Sequence, residues 1–91
     1  MRITFDPAKR EETLIGRGLD MADAGAVFGG PHVTFADIRK DYRERRWVTV
    51  GYLDERMVIF AWTHRDETRR IISLRKANDR EQARHGPSLR P

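Results

Sequence analysis

Two apolar runs separated by only two polar residues dominate the second half of this chain: Trp47 to Leu53, then Asp54-Glu55, then Arg56 to Thr63. Runs this rich in β-branched and aromatic side chains favour pleated strands, and a two-residue polar break leaves room for little but a tight antiparallel hairpin. With Asp54 and Glu55 as the turn, Leu53 faces Arg56, Gly51 faces Val58, Thr49 faces Phe60 and Trp47 faces Trp62, all on one side. Val48, Val50, Tyr52, Met57, Ile59 and Ala61 occupy the other side. That side is uniformly apolar and is the expected core face. The side carrying Trp47, Phe60 and Trp62 then needs either a second cover of chain or a role as an aromatic surface for stacking nucleobases, flanked by Arg46 and His64.

A third run, Arg69 to Arg75, follows the turn residues His64 to Thr68 and extends the hairpin to a meander. Asn78 with Glu81 three places on is a capping-box pattern that opens a short C-terminal helix before Gly86-Pro87. Ahead of the hairpin, Arg2 to Phe5 reads as a strand, and Asp6-Pro7 as the start of a helix reaching about Ile15. Asp20 can cap a second helix with Met21, Ala24, Val27 and Phe28 at helical spacing, stopped by Gly29-Gly30-Pro31. Val33 to Phe35 reads as a strand, and the charged stretch Asp37 to Arg46 as a solvent-facing loop. The expected fold is a small α+β domain over residues 1–86. In it an antiparallel sheet is packed by two N-terminal helices and a short C-terminal one, ahead of a disordered tail at 87–91.

At 91 residues, one domain exhausts the chain. No window approaches the roughly 20 apolar residues of a membrane span, and the first residues lack the apolar core of a secretory signal, so a soluble cytoplasmic protein is expected. With no cysteine, disulfides, thiolate metal sites and cysteine nucleophiles are excluded. The net charge of +4 arises entirely beyond residue 45, and all but Lys9, Lys40 and Lys76 of the 18 cations are arginine. Arginine's planar fork matches phosphate and stacks on bases, which suits a nucleic-acid partner; an arginine-rich proteome is the plain alternative.

Several blocks together resemble the BrnT family of bacterial toxins. They are Phe5-Asp6-Pro7-Ala8-Lys9, Gly18 before a short helix ending in Val27-Phe28, the charged loop before the hairpin, and Arg70-Ile71-Ile72-Ser73-Leu74-Arg75-Lys76-Ala77 with Glu81 downstream. The similarity spans about Arg2 to Arg84. It implies a RelE-like fold and a ribonuclease that inhibits translation. It also implies a cognate antitoxin of the BrnA type, a ribbon-helix-helix DNA-binding protein that masks the toxin and through which alone the system contacts DNA. The chain departs from the family at Ile15-Gly16-Arg17-Gly18, where members usually carry Lys-His-Gly, and at Leu74, where they usually carry alanine.

RNA cleavage without a metal uses the ribose 2′-hydroxyl as nucleophile, so a site needs a proton acceptor and cations for the developing phosphorane. Arg70, Arg75 and Lys76 are the first candidates for phosphate binding and transition-state stabilisation. Strand alternation places Arg70 and Lys76 on one face and Arg75 with Ser73 on the other, so the three converge only if a bulge or strand end intervenes. Of the histidines 32, 64 and 85, His64, beside Arg65, is the best-placed proton carrier. Glu81 is equally a general base or a helix cap. Lys9, Arg17, Arg46, Trp47, Trp62 and Arg65 are candidate RNA contacts, and Tyr42 and Glu44 lesser candidates for proton transfer. The three histidines have no ligand-spaced partners, so neither metal nor cofactor is expected. A module that binds RNA or antitoxin without turnover is the alternative function.

Overall fold

The computed structural model describes residues 1–89. Their order is β1 (Arg2–Phe5), α1 (Pro7–Arg17), a 3₁₀ segment (Met21–Gly29), β2 (His32–Ala36), β3 (Arg46–Leu53), β4 (Arg56–Arg65), β5 (Thr68–Lys76) and α2 (Asp79–Leu89). The strands form one sheet in the order β1-β5-β4-β3-β2. The domain is α+β, but the sheet is mixed rather than antiparallel, because β1 runs parallel to β5 from Arg2 opposite Thr68 to Phe5 opposite Ile71. A tight turn forces antiparallel pairing only on strands it joins directly, and β1 reaches β5 through all the intervening elements.

Local chemistry explains the first half. Asp6 caps α1 by accepting the Ala8 N–H at 2.9 Å, with Pro7 in the first turn. The helix continues two residues past the expected Ile15 and ends where Gly18, at φ 68°, donates its N–H to the Leu14 carbonyl. Asp20 caps the 3₁₀ segment through the Ala22 N–H and also accepts two hydrogen bonds from Arg10, at 2.7 and 2.8 Å, which ties the segment to α1.

The first hairpin has the expected register, from Leu53 opposite Arg56 to Trp47 opposite Trp62. Asp54 and Glu55 both take left-handed backbone, φ 48° and 66°, as a two-residue turn matched to strand twist requires. The second turn is tighter than expected: pairing continues to Arg65 opposite Thr68, leaving only Asp66 and Glu67, again left-handed. Further along, Ala61 faces Ser73 while Trp62 faces Ile71, so Ile72 is the extra residue of a β-bulge.

The main core lies on the sheet face opposite to the expected one. Val58, Phe60, Trp62, Ile71 and Leu74 pack there against Leu19, Met21, Ala24 and Val27. Both hairpin faces are apolar, and the one with the larger aromatic side chains takes the thicker cover, since more area is removed from water. Gly51 makes that cover possible: a Cβ at this position would collide with the Val27 side chain. Trp62 completes the packing by donating its Nε1–H to Thr49 Oγ1 at 2.8 Å.

The Val48, Val50, Met57 and Ile59 side is a second, smaller cluster closed by Ala77 and Leu89. Leu89 is 4% exposed, and its burial accounts for α2 running through Gly86-Pro87, where the sequence suggested an end. Residues 87–89, expected in a disordered tail, therefore belong to α2, and residues 90–91 of that expectation lie outside the described residues. No helix among the described residues is long and apolar enough to cross a membrane.

Candidate active site

The bulge at Ile72 decides which cations of β5 share a face. Arg70 lies opposite Thr63, Ser73 opposite Ala61 and Arg75 opposite Ile59, so these three are successive positions on the side of the smaller apolar cluster. Lys76, opposite Val58, is on the core side. The alternation expected from sequence, which grouped Arg70 with Lys76, is thus reversed by one extra residue.

On this side a cleft of about 560 Å³ opens between the sheet, the segment after β2 and α2. Val48, Ile59, Ala61 and Ser73 form its floor. Around it stand four guanidinium groups, those of Arg39, Arg75, Arg80 and Arg84, against two carboxylates, Asp37 and Glu81. His85 completes the wall on α2, its ring nearly parallel to that of Phe35 with centroids 6.1 Å apart and planes at 13°.

Two of the guanidinium groups are held by carboxylates. Arg75 donates to both oxygens of Glu81, at 2.7 and 2.8 Å, while Glu81 also accepts the Asn78 N–H at 2.9 Å and Asn78 accepts the Glu81 N–H at 2.8 Å. The expected capping box is therefore present, and its glutamate doubles as the anchor of Arg75. Hydrogen bonds from Arg75, ahead of that from Asn78, hold the Glu81 carboxyl down to about 2, which leaves it a poor general base. From the other wall Arg39 donates twice to Asp37, each time at 2.8 Å, and the Tyr42 hydroxyl donates to the same carboxylate at 3.2 Å. The Asp37 side chain is 1% exposed, and Arg39 above all holds its carboxyl down to about 2. Arg39 and Arg75 line the same cleft, and the Arg39 charge works slightly against that of Arg75.

The other sequence candidates lie elsewhere. β1 pairs with β5 only as far as Ile71, which leaves the carbonyls beyond it at a free edge. Lys9 Nζ donates to the Ile72 carbonyl at 3.3 Å and Arg17 to the Leu74 carbonyl at 2.7 Å, so both cations serve that edge. His64 is opposite Arg69 on the core side, edge-on to Trp62 at 5.0 Å, on the other face of the sheet from Arg75. Arg65 is paired with Glu44 at 3.0 Å, and Arg46 lies over the Tyr42 ring at 4.1 Å. Trp62 is 4% exposed and packed between Phe28 and Trp47, so it is a core side chain and offers no open ring face to a base. Trp47 is half-buried against the same cluster.

Arg39, Asp37, Arg80, Arg84 and His85 were not among the site residues proposed from sequence. The loop holding Arg39 has no periodicity to place it, although Asp37 two residues before Arg39 is a local signal for an aspartate-anchored turn. For α2, extending the helical spacing from Glu81 by four residues reaches His85 on the same face.

Among the described residues, no group of three or more His, Cys, Asp or Glu side chains is arranged to hold a metal. The profile of a family described as "Ribonuclease toxin, BrnT, of type II toxin-antitoxin system" matches residues 5–81. The chain belongs to the BrnT family. BrnT proteins are ribonuclease toxins by that description, and a type II system supplies an antitoxin partner. The BrnT match runs from Phe5, the last residue of β1, to the first turn of α2, including Arg39, Arg75 and Glu81, and stops short of Arg84 and His85. No curated protein matches this chain.

Proposed function

We propose that this protein is a metal-independent endoribonuclease toxin of a BrnT/BrnA-type system, acting in the cytoplasm on RNA to inhibit translation and neutralised by a cognate antitoxin. The observation that carries the proposal is one cleft lined by both Arg39 and Arg75, each guanidinium oriented by its own carboxylate. A fixed pair of forks stabilises charge that develops on a phosphodiester without reorganising, which is the larger part of catalysis in such a reaction. Arg80 and Arg84 add positive charge along the rim, and Arg70, one outward position beyond Ser73, extends it along β5 for neighbouring phosphates. The apolar floor of Val48, Ile59 and Ala61 suits an unstacked base rather than a duplex.

The deciding experiment is cleavage of a defined messenger RNA by the purified protein in excess chelator, with and without ribosomes, compared with Arg75→Ala. Cleavage by the wild type that the folded variant lacks supports the proposal. RNA or antitoxin binding without turnover by the wild type replaces it with a non-catalytic binding module.

A further inference from the structure

We infer that His85 is the proton acceptor of this site, taking the proton of the attacking ribose 2′-hydroxyl. The inference rests on the ribonuclease reading and names the group that reading leaves open. It stands first on position: His85 lines the same cleft as Arg39 and Arg75, whereas His64 lies on the other face of the sheet and the His32 ring is engaged with the Gly30 carbonyl at 2.8 Å. It stands next on the condition of the groups beside it. Asp37 and Glu81 each accept two arginine hydrogen bonds and are held near 2, so neither competes for a hydroxyl proton at neutral pH. The Tyr42 hydroxyl is spent on Asp37, and guanidinium groups do not give up a proton in this range.

Histidine alone among unperturbed side chains exchanges protons near neutrality. The charged groups sharing the cleft with His85 are Asp37 and Arg39 after β2, Arg75 on β5, and Arg80, Glu81 and Arg84 on its own helix. The Phe35 ring lies nearly parallel to the imidazole, with centroids 6.1 Å apart.

In the step this predicts, the 2′-oxygen bonds to phosphorus as its proton passes to the His85 imidazole. The bond from phosphorus to the 5′-oxygen breaks, and that oxygen takes a proton from solvent. The ends are a 2′,3′-cyclic phosphate and a 5′-hydroxyl, with Arg39 and Arg75 holding the non-bridging oxygens.

The test compares wild type, His85→Gln and His85→Ala on a defined messenger RNA in excess chelator, with and without ribosomes, across pH. The expected result is a kcat lower by about 100-fold or more in both variants with KM little changed, and loss of the acidic limb of the wild-type pH profile. Imidazole in solution partly restores His85→Ala. Wild-type cleavage accompanied by equal rates and an unchanged profile in His85→Gln overturns the assignment while leaving the ribonuclease reading intact. A slowed His85→Ala that imidazole does not restore, with a lowered melting temperature, makes His85 structural and also overturns it. A wild type that cleaves nothing removes both readings.

Discussion

Arg75 on β5 and Glu81 on α2 share two hydrogen bonds, at 2.7 and 2.8 Å, and the same carboxylate closes the first turn of α2. One side chain thus sets both the direction of a cleft cation and the start of the helix that carries His85.

Glu81→Gln removes the charge that holds both. A glutamine at this position can still accept the Asn78 N–H, so the loss is that of the negative charge at the helix N-terminus, about 0.3–1 kcal/mol, equivalent to a fall of roughly 1–8 °C in melting temperature for a domain of this size. The ion pair adds little to that figure, since the Arg75 side chain is 42% exposed. The carboxyl is lowered from 4.5 to about 2 in the folded state, so its stabilisation is complete above the higher value and disappears as pH falls toward the lower. Thermal melts of the two proteins should differ at neutral pH and converge through that acidic window.

Arg75→Ala should abolish growth inhibition and lower cleavage by about 100-fold or more while the protein stays folded. Arg75→Lys keeps the charge but not the fork, and should recover only a small part of the rate. Growth on induction, cleavage and a melting curve for each variant check this; full activity in either variant takes Arg75 out of the mechanism.

Trp62 supplies a spectroscopic check on the core assignment. In Trp47→Phe the remaining tryptophan is 4% exposed, so RNA binding should leave its emission unquenched. Quenching on addition of RNA would return the aromatic face to the list of base-stacking surfaces.

Gly51→Ala places a methyl group into the space taken by Val27 and should destabilise the fold by about 1–3 kcal/mol. Val27→Ala in the same chain should recover part of that loss. The pair is measured by denaturant unfolding as a double-mutant cycle.

Much of the fold was readable from local chemistry. The first hairpin's register follows from a two-residue turn, and the caps at Asp6, Asp20 and Asn78 follow from side chains that bond to the backbone within three residues. The core face was not readable from the alternation, because the faces led by Trp47 and by Val48 are both apolar, and the 3₁₀ segment that covers the first of them approaches it closely at Gly51. For the site, Arg75 and Glu81 were visible in a strand and a capping box. Arg39 was not, since its place depends on a loop anchored at Asp37. The grouping of Arg70 with Arg75 depends on the extra residue at Ile72, which neither hydropathy nor spacing marks. His85 stood in the last turn of the expected helix, before Gly86-Pro87, and the helix itself runs on to Leu89.

The free edge of β5 has a consequence for how this chain meets other chains. Edge strands invite further strands, and a chain with an uncovered edge is exposed to pairing with itself. Lys9 and Arg17 occupy the acceptors at Ile72 and Leu74 that an added strand would need. Both side chains come from α1, none of whose residues is buried. Protection of the sheet is therefore a property of a helix docked mainly by its charges, and salt or acidity that loosens α1, including loss of the Arg10–Asp20 pair, should promote aggregation before it unfolds the core.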